Sequence, residues 1–318
     1  MTPARPDVSV VICSWNRDRL LDRTLEGLAD LRLPAALAWE VLVVDNGSED
    51  GTADVLAKHA VRLPLRVIEE SERGLSRARN RALDEVRGPL VLWTDDDVRV
   101  DPGWLSEIVA AARRFPDEPI FGGTVDPWFE EEPPRWIRRN LDQLEGTFAI
   151  RRFGPEVRRF RDGEAPFGAN MAVRKDAIGS ERFRTDLGRI GTSLLSGEES
   201  EFLARIRDRT GRPGVWVGTA RVEHWVPRER LQPAYVRRYF EGLGRTHVAA
   251  HGIPRGTNLF GVPAWIRRRE IVERIVATFL RPWGRSRAWL VARRRAWELT
   301  GMRRAILDLA GGAADRPA

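Results

Sequence analysis

Residues 90–105 read LVLWTDDDVRVDPGWL. An apolar run of strand type ends in Asp95, Asp96 and Asp97, and a helical pattern, PGWLSEIVAAARRF, follows with its proline near the start. Three carboxylates in succession repel one another, and nothing in strand geometry requires them. Asp101 is already placed to cap the helix that begins near Pro102, so the triplet is surplus to capping. One reading is an acidic turn. The other is a cation site, because Mg2+ and Mn2+ take carboxylate oxygens and are usually completed by substrate phosphates.

The same alternation runs outward through the first 125 residues. VSVVI (8–12) precedes a pattern with Leu20, Leu21, Leu25 and Leu28 at helical spacing. EVLVV (40–44) precedes TADVLAKHA, and LRVI (65–68) precedes RGLSRARNRALDEV, with Leu75, Ala78, Ala82, Leu83 and Val86 expected inward. Short strands alternating with amphipathic helices predict βαβ units and a parallel sheet, whose ligands bind beyond the carboxyl ends of the strands. The stretches just past those ends are CSWN (13–16), DNGSED (45–50), ESERG (70–74) and TDDD (94–97). All four are polar, and topology brings them to one edge.

Beyond residue 125 the pattern loosens. DPWFEEEPPRWIRRN reads as an irregular excursion, APFGANMAVRK (165–175) ends in a short strand, and SGEESEFLARIRDRTG is helical. VWVGTARVEHWV (215–226) is strand-like, RLQPAYVRRYFEGLGRTHVAAHG is helical, and from about residue 262 tryptophan, isoleucine, leucine and arginine recur at helical spacing. The pattern divides the chain into an alternating part (1–125), a looser part (126–260) and a basic amphipathic helical extension (261–318).

With 318 residues, 42% hydrophobic and 31% charged, the chain can bury a sizeable core. Its single cysteine, Cys13, rules out a disulfide framework and a cysteine zinc site. No leader is visible, and no apolar stretch approaches the ~20 residues that span a bilayer. A cytoplasmic protein is expected. The formal net charge is +7, nearly all of it from arginine, which suits phosphate and anionic lipid through its planar donor fork.

Two further stretches bear on chemistry. His224, in RVEHWV, stands at a strand end as a ligand or as a structural histidine. Glu198 and Glu199, in SGEESEF, are either a helix-dipole device or contain a general base.

Taken in order, VSVVICSWNR, VLVVDNGSEDGT, RGLSRARNRAL, LWTDDD, FGANMAVRK, SGEESEF and VEHWV resemble the motifs of family 2 glycosyltransferases. The resemblance covers about residues 8–250. It implies an α/β fold of GT-A type, with a mostly parallel, Rossmann-like sheet, an acceptor-binding half and a C-terminal helical extension. It also implies inverting transfer of a sugar from a nucleotide diphosphate, typically of uracil, to an acceptor hydroxyl. Carried onto this sequence, Cys13, Trp15 and Asp45 would line the base pocket, and Arg77 and Asn80 would contact the donor. Asp95 would be the ribose-side acid. Asp96 or Asp97, with His224, would hold Mn2+ or Mg2+, and Asn170 would face the donor sugar and acceptor. Glu199 takes the place of the catalytic base, often an aspartate, so Glu198 is a second candidate. Cys13 replaces a common threonine and is a poorer hydrogen-bond donor.

A nucleotidyltransferase would combine the same sheet, acids and nucleotide, but CSWNRDR lacks a glycine-rich phosphate loop with lysine. No GxGxxG follows an early strand, which argues against a dinucleotide oxidoreductase. A non-enzymatic basic module leaves the acidic motifs without purpose. The tail beyond 262 suits an anionic membrane surface on the cytoplasmic face, or else helices packed on the catalytic domain or at a dimer interface. The expected partners are a nucleotide-sugar donor and a saccharide, lipid-linked or small-molecule acceptor, with no nucleic acid.

Overall fold

β-branched runs and amphipathic helices settle into the elements their spacing predicts. The computed structural model describes residues 5–187, 197–281 and 284–314. Residues 1–4, part of the stretch read for a leader, and Pro282 and Trp283 of the basic tail lie outside the described residues. In chain order the elements begin with β1 (Val8–Ser14), α1 (Asp18–Ala29), β2 (Trp39–Asp45), α2 (Thr52–His59), β3 (Leu65–Glu69), α3 (Leu75–Glu85) and β4 (Leu90–Asp95). There follow β5 (Val98–Val100), α4 (Trp104–Arg114), β6 (Ile120–Phe129), α5 (Arg135–Arg138), β7 (Val157–Arg159), β8 (Met171–Arg174) and α6 (Lys175–Ile178). The chain continues through α7 (Glu198–Thr210), β9 (Val215–Val226), α8 (Pro233–His251), β10 (Asn258–Leu259), β11 (Val262–Pro263), α9 (Ala264–Phe279) and α10 (Arg287–Ala314).

The main sheet runs β3-β2-β1-β4-β8-β6-β9-β5, with β7 beside β9. Strands β3, β2, β1 and β4 are parallel, and β8 joins β4 antiparallel. Alternation along β1 sends Val8, Val10 and Ile12 to a core with α1, α2 and α4, and Val11 to a core with α3 and α7. The parallel register sets Ser14 beside Asp45, Cys13 beside Asp95, and Asp45 beside Glu69. The polar strand ends therefore share one edge, which a parallel register enforces and an antiparallel one would not.

Ahead of the helix that follows the acidic triplet, the Asp101 carboxylate accepts the Gly103 N–H at 2.8 Å and its carbonyl accepts the Trp104 N–H at 2.9 Å, the contacts of a helix cap.

The chain divides into two units. One comprises residues 1–128, 149–185 and 198–225 and holds the main sheet; the other comprises 129–148, 186–197 and 226–318. In the second, Val248 of α8, Val262 of β11, Ile266 of α9 and Leu299, Met302 and Ile306 of α10 form a core. No helix among the described residues is long and apolar enough to cross a membrane.

Candidate active site

The triplet's geometry follows from a strand pairing that local sequence does not reveal. β5 leaves the acidic turn and runs antiparallel to β9, with Val98 opposite His224. The Trp225 N–H closes the pairing by donating to the Asp97 carbonyl at 2.8 Å. His224 Nε2 consequently lies 3.3 Å from Asp97 Oδ1 and 3.6 Å from Asp95 Oδ2. One ligand atom from each of Asp95, Asp97 and His224 falls within 4.8 Å of the others.

Asp96 is directed elsewhere. Its Oδ2 accepts the Ser14 hydroxyl at 2.7 Å. Asp95, Asp97 and His224 thus form a group that could hold a cation, while the Asp96 carboxylate is engaged by Ser14. Arg17 Nη1 donates to the second oxygen of Asp97 at 2.5 Å and lies 4.0 Å from Asp96 Oδ1. Burial pushes the Asp96 carboxyl up to about 7, although Arg17 pulls the other way. Burial also raises Asp95; His224 opposes the rise and the charge of Asp97 adds to it. Two carboxylates and an imidazole are a donor set that fits a hard divalent cation. Crowded acids lifted by burial are the signature of a place that favours a cation.

The second cluster is built from α3 and α7. Glu198 and Glu199 sit in the first turn of α7. Buried Arg79 of α3 holds both: Nη1 donates to Glu198 Oε1 at 2.9 Å and Nη2 to Glu199 Oε1 at 2.6 Å. The Gly168 N–H donates to Glu199 Oε2 at 2.9 Å, so both oxygens of Glu199 are oriented. A Cβ on Gly168 would stand 2.1 Å from Glu199 Oε1, which explains the glycine of FGAN. The guanidinium also lies 5.4 Å over Phe183, which stacks on Phe202 at 4.0 Å. Burial works against the charge on Arg79, but Glu199 and Glu198 outweigh it and raise its pKa. After burial, His224 and Asp97, the charges of Arg79 and Glu199 also act on Asp95.

The remaining predicted residues separate into two groups. Cys13, half-buried with its thiol pushed up to about 12 by burial, Trp15 and Asp45 lie at the shared strand-end edge. Arg73 stacks on the Trp15 ring at 4.9 Å, and the Asp45 carboxylate accepts the Ser48 N–H at 3.0 Å. Arg77 is paired with Glu72 at the surface. Asn80 and Asn170, in contrast, are spent internally. Asn80 Nδ2 donates to the Phe183 carbonyl and its Oδ1 accepts the Phe183 N–H, both at 2.8 Å. Asn170 is fully buried. Its Nδ2 donates to the carbonyls of Thr124 and Ala220 at 3.0 and 2.9 Å, and its Oδ1 accepts the Trp104 indole N–H at 2.9 Å. Both amides are engaged by protein groups, and each pins a loop of the site. Asn80→Ala is expected to cost about 1–3 kcal/mol by orphaning both Phe183 backbone groups, measurable by urea denaturation.

Arg79, Arg17, Ser14 and Gly168 were not singled out from sequence. Arg79 carried a legible signal, because it falls on the stripe Leu75, Arg79, Ala82, Val86 at helical spacing. Arg17 had none to separate it from Arg19.

A family model described as glycosyl transferase family 2 matches residues 9–179. Glucosyl-dolichyl phosphate glucuronosyltransferase of Haloferax volcanii is 27% identical over 231 residues, 68% of either chain. Among solved structures, Staphylococcus aureus TarS 1–349 with UDP superposes with a TM-score of 0.54 at 18% identity, covering 96% of this chain and 92% of that one. Mannosyltransferase PcManGT from Pyrobaculum calidifontis, in complex with GDP-Man and Mn2+, gives a TM-score of 0.50 at 21% identity, covering 99% and 77%. These likenesses show the GT-A fold.

Proposed function

Because the chain belongs to glycosyl transferase family 2, we propose that it is an inverting, metal-dependent enzyme that moves a sugar from a UDP-linked donor to an acceptor hydroxyl of a saccharide, lipid-linked or small molecule. Activity on nucleotide sugars comes with the family; the base, the acceptor, the stereochemistry and the metal are the proposal. The observation that carries it is the convergence of Asp95, Asp97 and His224 at the strand-end edge that also bears Cys13 and Asp45. Neither a nucleotidyltransferase nor a non-enzymatic module is needed to account for that edge.

Asp95, Asp97 and His224 would hold Mn2+ or Mg2+. Such an ion, when bound, supplies Lewis-acid neutralisation of the diphosphate leaving group. The chain does the rest. Asp45, Trp15 and Cys13 would bind the nucleobase, and Arg77 would exchange Glu72 for a donor phosphate oxygen. Ser14 holds Asp96 and Arg17 holds Asp97, which fixes the acidic tip. Glu199 would take the acceptor proton as the hydroxyl oxygen attacks the anomeric carbon opposite the leaving group. One base suffices for a single displacement. We further propose that the enzyme works in the cytoplasm, with residues 262–310 against an anionic membrane surface.

TarS is seen with UDP and the Pyrobaculum enzyme with GDP-Man and Mn2+, so both bases belong in the test. Thermal shift with UDP or GDP, each with and without Mn2+, is expected to show stabilisation that requires nucleotide and metal together and favours UDP. Asp97→Asn should remove the metal's contribution. A melting temperature that neither nucleotide raises, with or without metal, would refute the proposal.

A further inference from the structure

Building on the membrane-surface reading of residues 262–310, we infer that the outward face of α9 lies in the headgroup region of an anionic bilayer. This helix is built in reverse. Its inward face comprises Ile266, Glu270, Glu273 and Ala277, with the two glutamates only 5% and 9% exposed. Those charges are met inside the unit. Arg303 Nε donates to Glu270 Oε2 at 2.8 Å and the Thr300 hydroxyl to Glu270 Oε1 at 2.9 Å. Arg274 pairs with Glu270 at 2.7 Å, and Arg295 lies 3.5 Å from Glu273. At 100° per residue the opposite face carries Ile271, Val272, Ile275 and Phe279, all exposed, Ile275 by 61% and Phe279 by 77%.

Ordinary surface helices turn hydrocarbon in and charge out. A stripe of four large apolar side chains on the outer face, opposite two buried carboxylates, is unfavourable in water and stable when covered. The hairpin of β10 and β11 extends the apolar surface with Leu259 and Phe260, the latter 81% exposed at the turn. Arg267 ties that hairpin to the first turn of α9, donating from Nε to the Leu259 carbonyl and from Nη2 to the Phe260 carbonyl, both at 3.0 Å.

Charge decides what covers the face. Between residues 252 and 297 the only acids are Glu270 and Glu273, and both are buried. Arg255, Arg268, Arg269 and Arg281 are exposed, with no carboxylate at ion-pair distance among the described residues. Arg268 sits within the apolar stripe itself. A second copy of the chain would bring a matching cationic patch against this one and repel it. Anionic phospholipid supplies the counter-charge and the hydrocarbon together, and guanidinium pairs with phosphate in a planar fork. α10 offers less apolar surface than α9, because Leu290, Ala296, Leu299 and Ile306 are buried and Leu309 is its one strongly exposed large apolar side chain among the described residues.

Cosedimentation of the full chain with vesicles tests this, using phosphatidylcholine alone and phosphatidylcholine mixed with phosphatidylglycerol. The protein is expected to pellet with the anionic vesicles only, and less as salt rises. Ile275→Asp with Phe279→Asp, and separately Arg268→Glu with Arg269→Glu, should each weaken binding by at least ~10-fold. All four sites are exposed, so the variants should melt at the parent temperature. Failure of the parent chain to bind anionic vesicles would overturn the inference. So would unchanged binding by the apolar variant, or a solution dimer that this variant converts to monomer, which would make α9 a subunit contact. Thermal shift with nucleotide needs no vesicles, so the transferase reading and the membrane face fail separately.

Discussion

Glu199→Gln is expected to lower kcat by roughly 10^2–10^4-fold, the usual worth of a positioned general base, with donor Kd changed by less than about threefold. The substitution is close to isosteric. A glutamine at this position keeps one acceptor oxygen, enough for the Gly168 N–H, and gives up the Arg79 contact of Glu199, while Glu198 remains as a partner for Arg79 and holds the helix in place. The capacity to take a proton is lost, together with the negative charge that pairs with Arg79. Glu198→Gln provides the contrast. Glu198 is buried beneath Arg79, whereas Glu199 keeps part of its surface toward solvent. The Glu198 variant should therefore retain most of its turnover. Steady-state kinetics with a nucleotide-sugar, or its slow hydrolysis where the acceptor is unknown, reads kcat; calorimetric titration of the donor reads Kd. Loss of donor affinity in step with turnover would show that Glu199 binds substrate instead of activating it. A dead Glu198 variant beside a live Glu199 variant would exchange their roles.

How much of this site could be read in advance depended on whether the deciding contact was local. The parallel half of the sheet was legible, because each strand and its helix are adjacent in sequence and periodicity marks both. From that alone Cys13, Asp45 and Asp95 had to share an edge. The division of labour within TDDD was not legible. It depends on β5 pairing with β9, which brings residues 98 and 224 together, and on Ser14 claiming Asp96. The partners of the amides were illegible for a related reason. Asn170 and Asn80 bond to Trp104 and Phe183, which are distant in sequence. Arginine abundance hid Arg79 in the helix after β3. With the basic charge nearly all arginine, Arg77 and Arg79 looked alike, and only position on the apolar stripe distinguished them.

Arg79→Met is expected to destabilise the fold by about 3–5 kcal/mol, because it leaves two carboxylates in a place prepared for their counter-ion. The cost does not measure the worth of the ion pair. Buried pairs contribute little net stability against a hydrocarbon replacement, and the penalty comes from the unpaired charges that remain. Glu198 is nearly as buried as Arg79 and has least access to solvent, so it bears most of the penalty. Two consequences separate this from simple loss of packing against Phe183. First, adding Glu198→Gln to Arg79→Met should recover a substantial part of the loss, although Glu198→Gln alone should destabilise the parent; a double-mutant cycle by urea denaturation reads the coupling. Second, the variant should acquire a pH slope of definite sign. With its counter-ion gone, the buried carboxyl titrates above its unfolded value near ~4.3, so the native state holds more protons than the unfolded chain in the window between the two values. Stability of Arg79→Met must then fall as pH rises through that window, and recover on acidification. If the single variant were destabilised equally at about pH 5 and about pH 8, with no rescue by Glu198→Gln, Arg79 would be acting through its contact with Phe183, and the case for a carboxylate pair held ready for proton transfer would lose its electrostatic support.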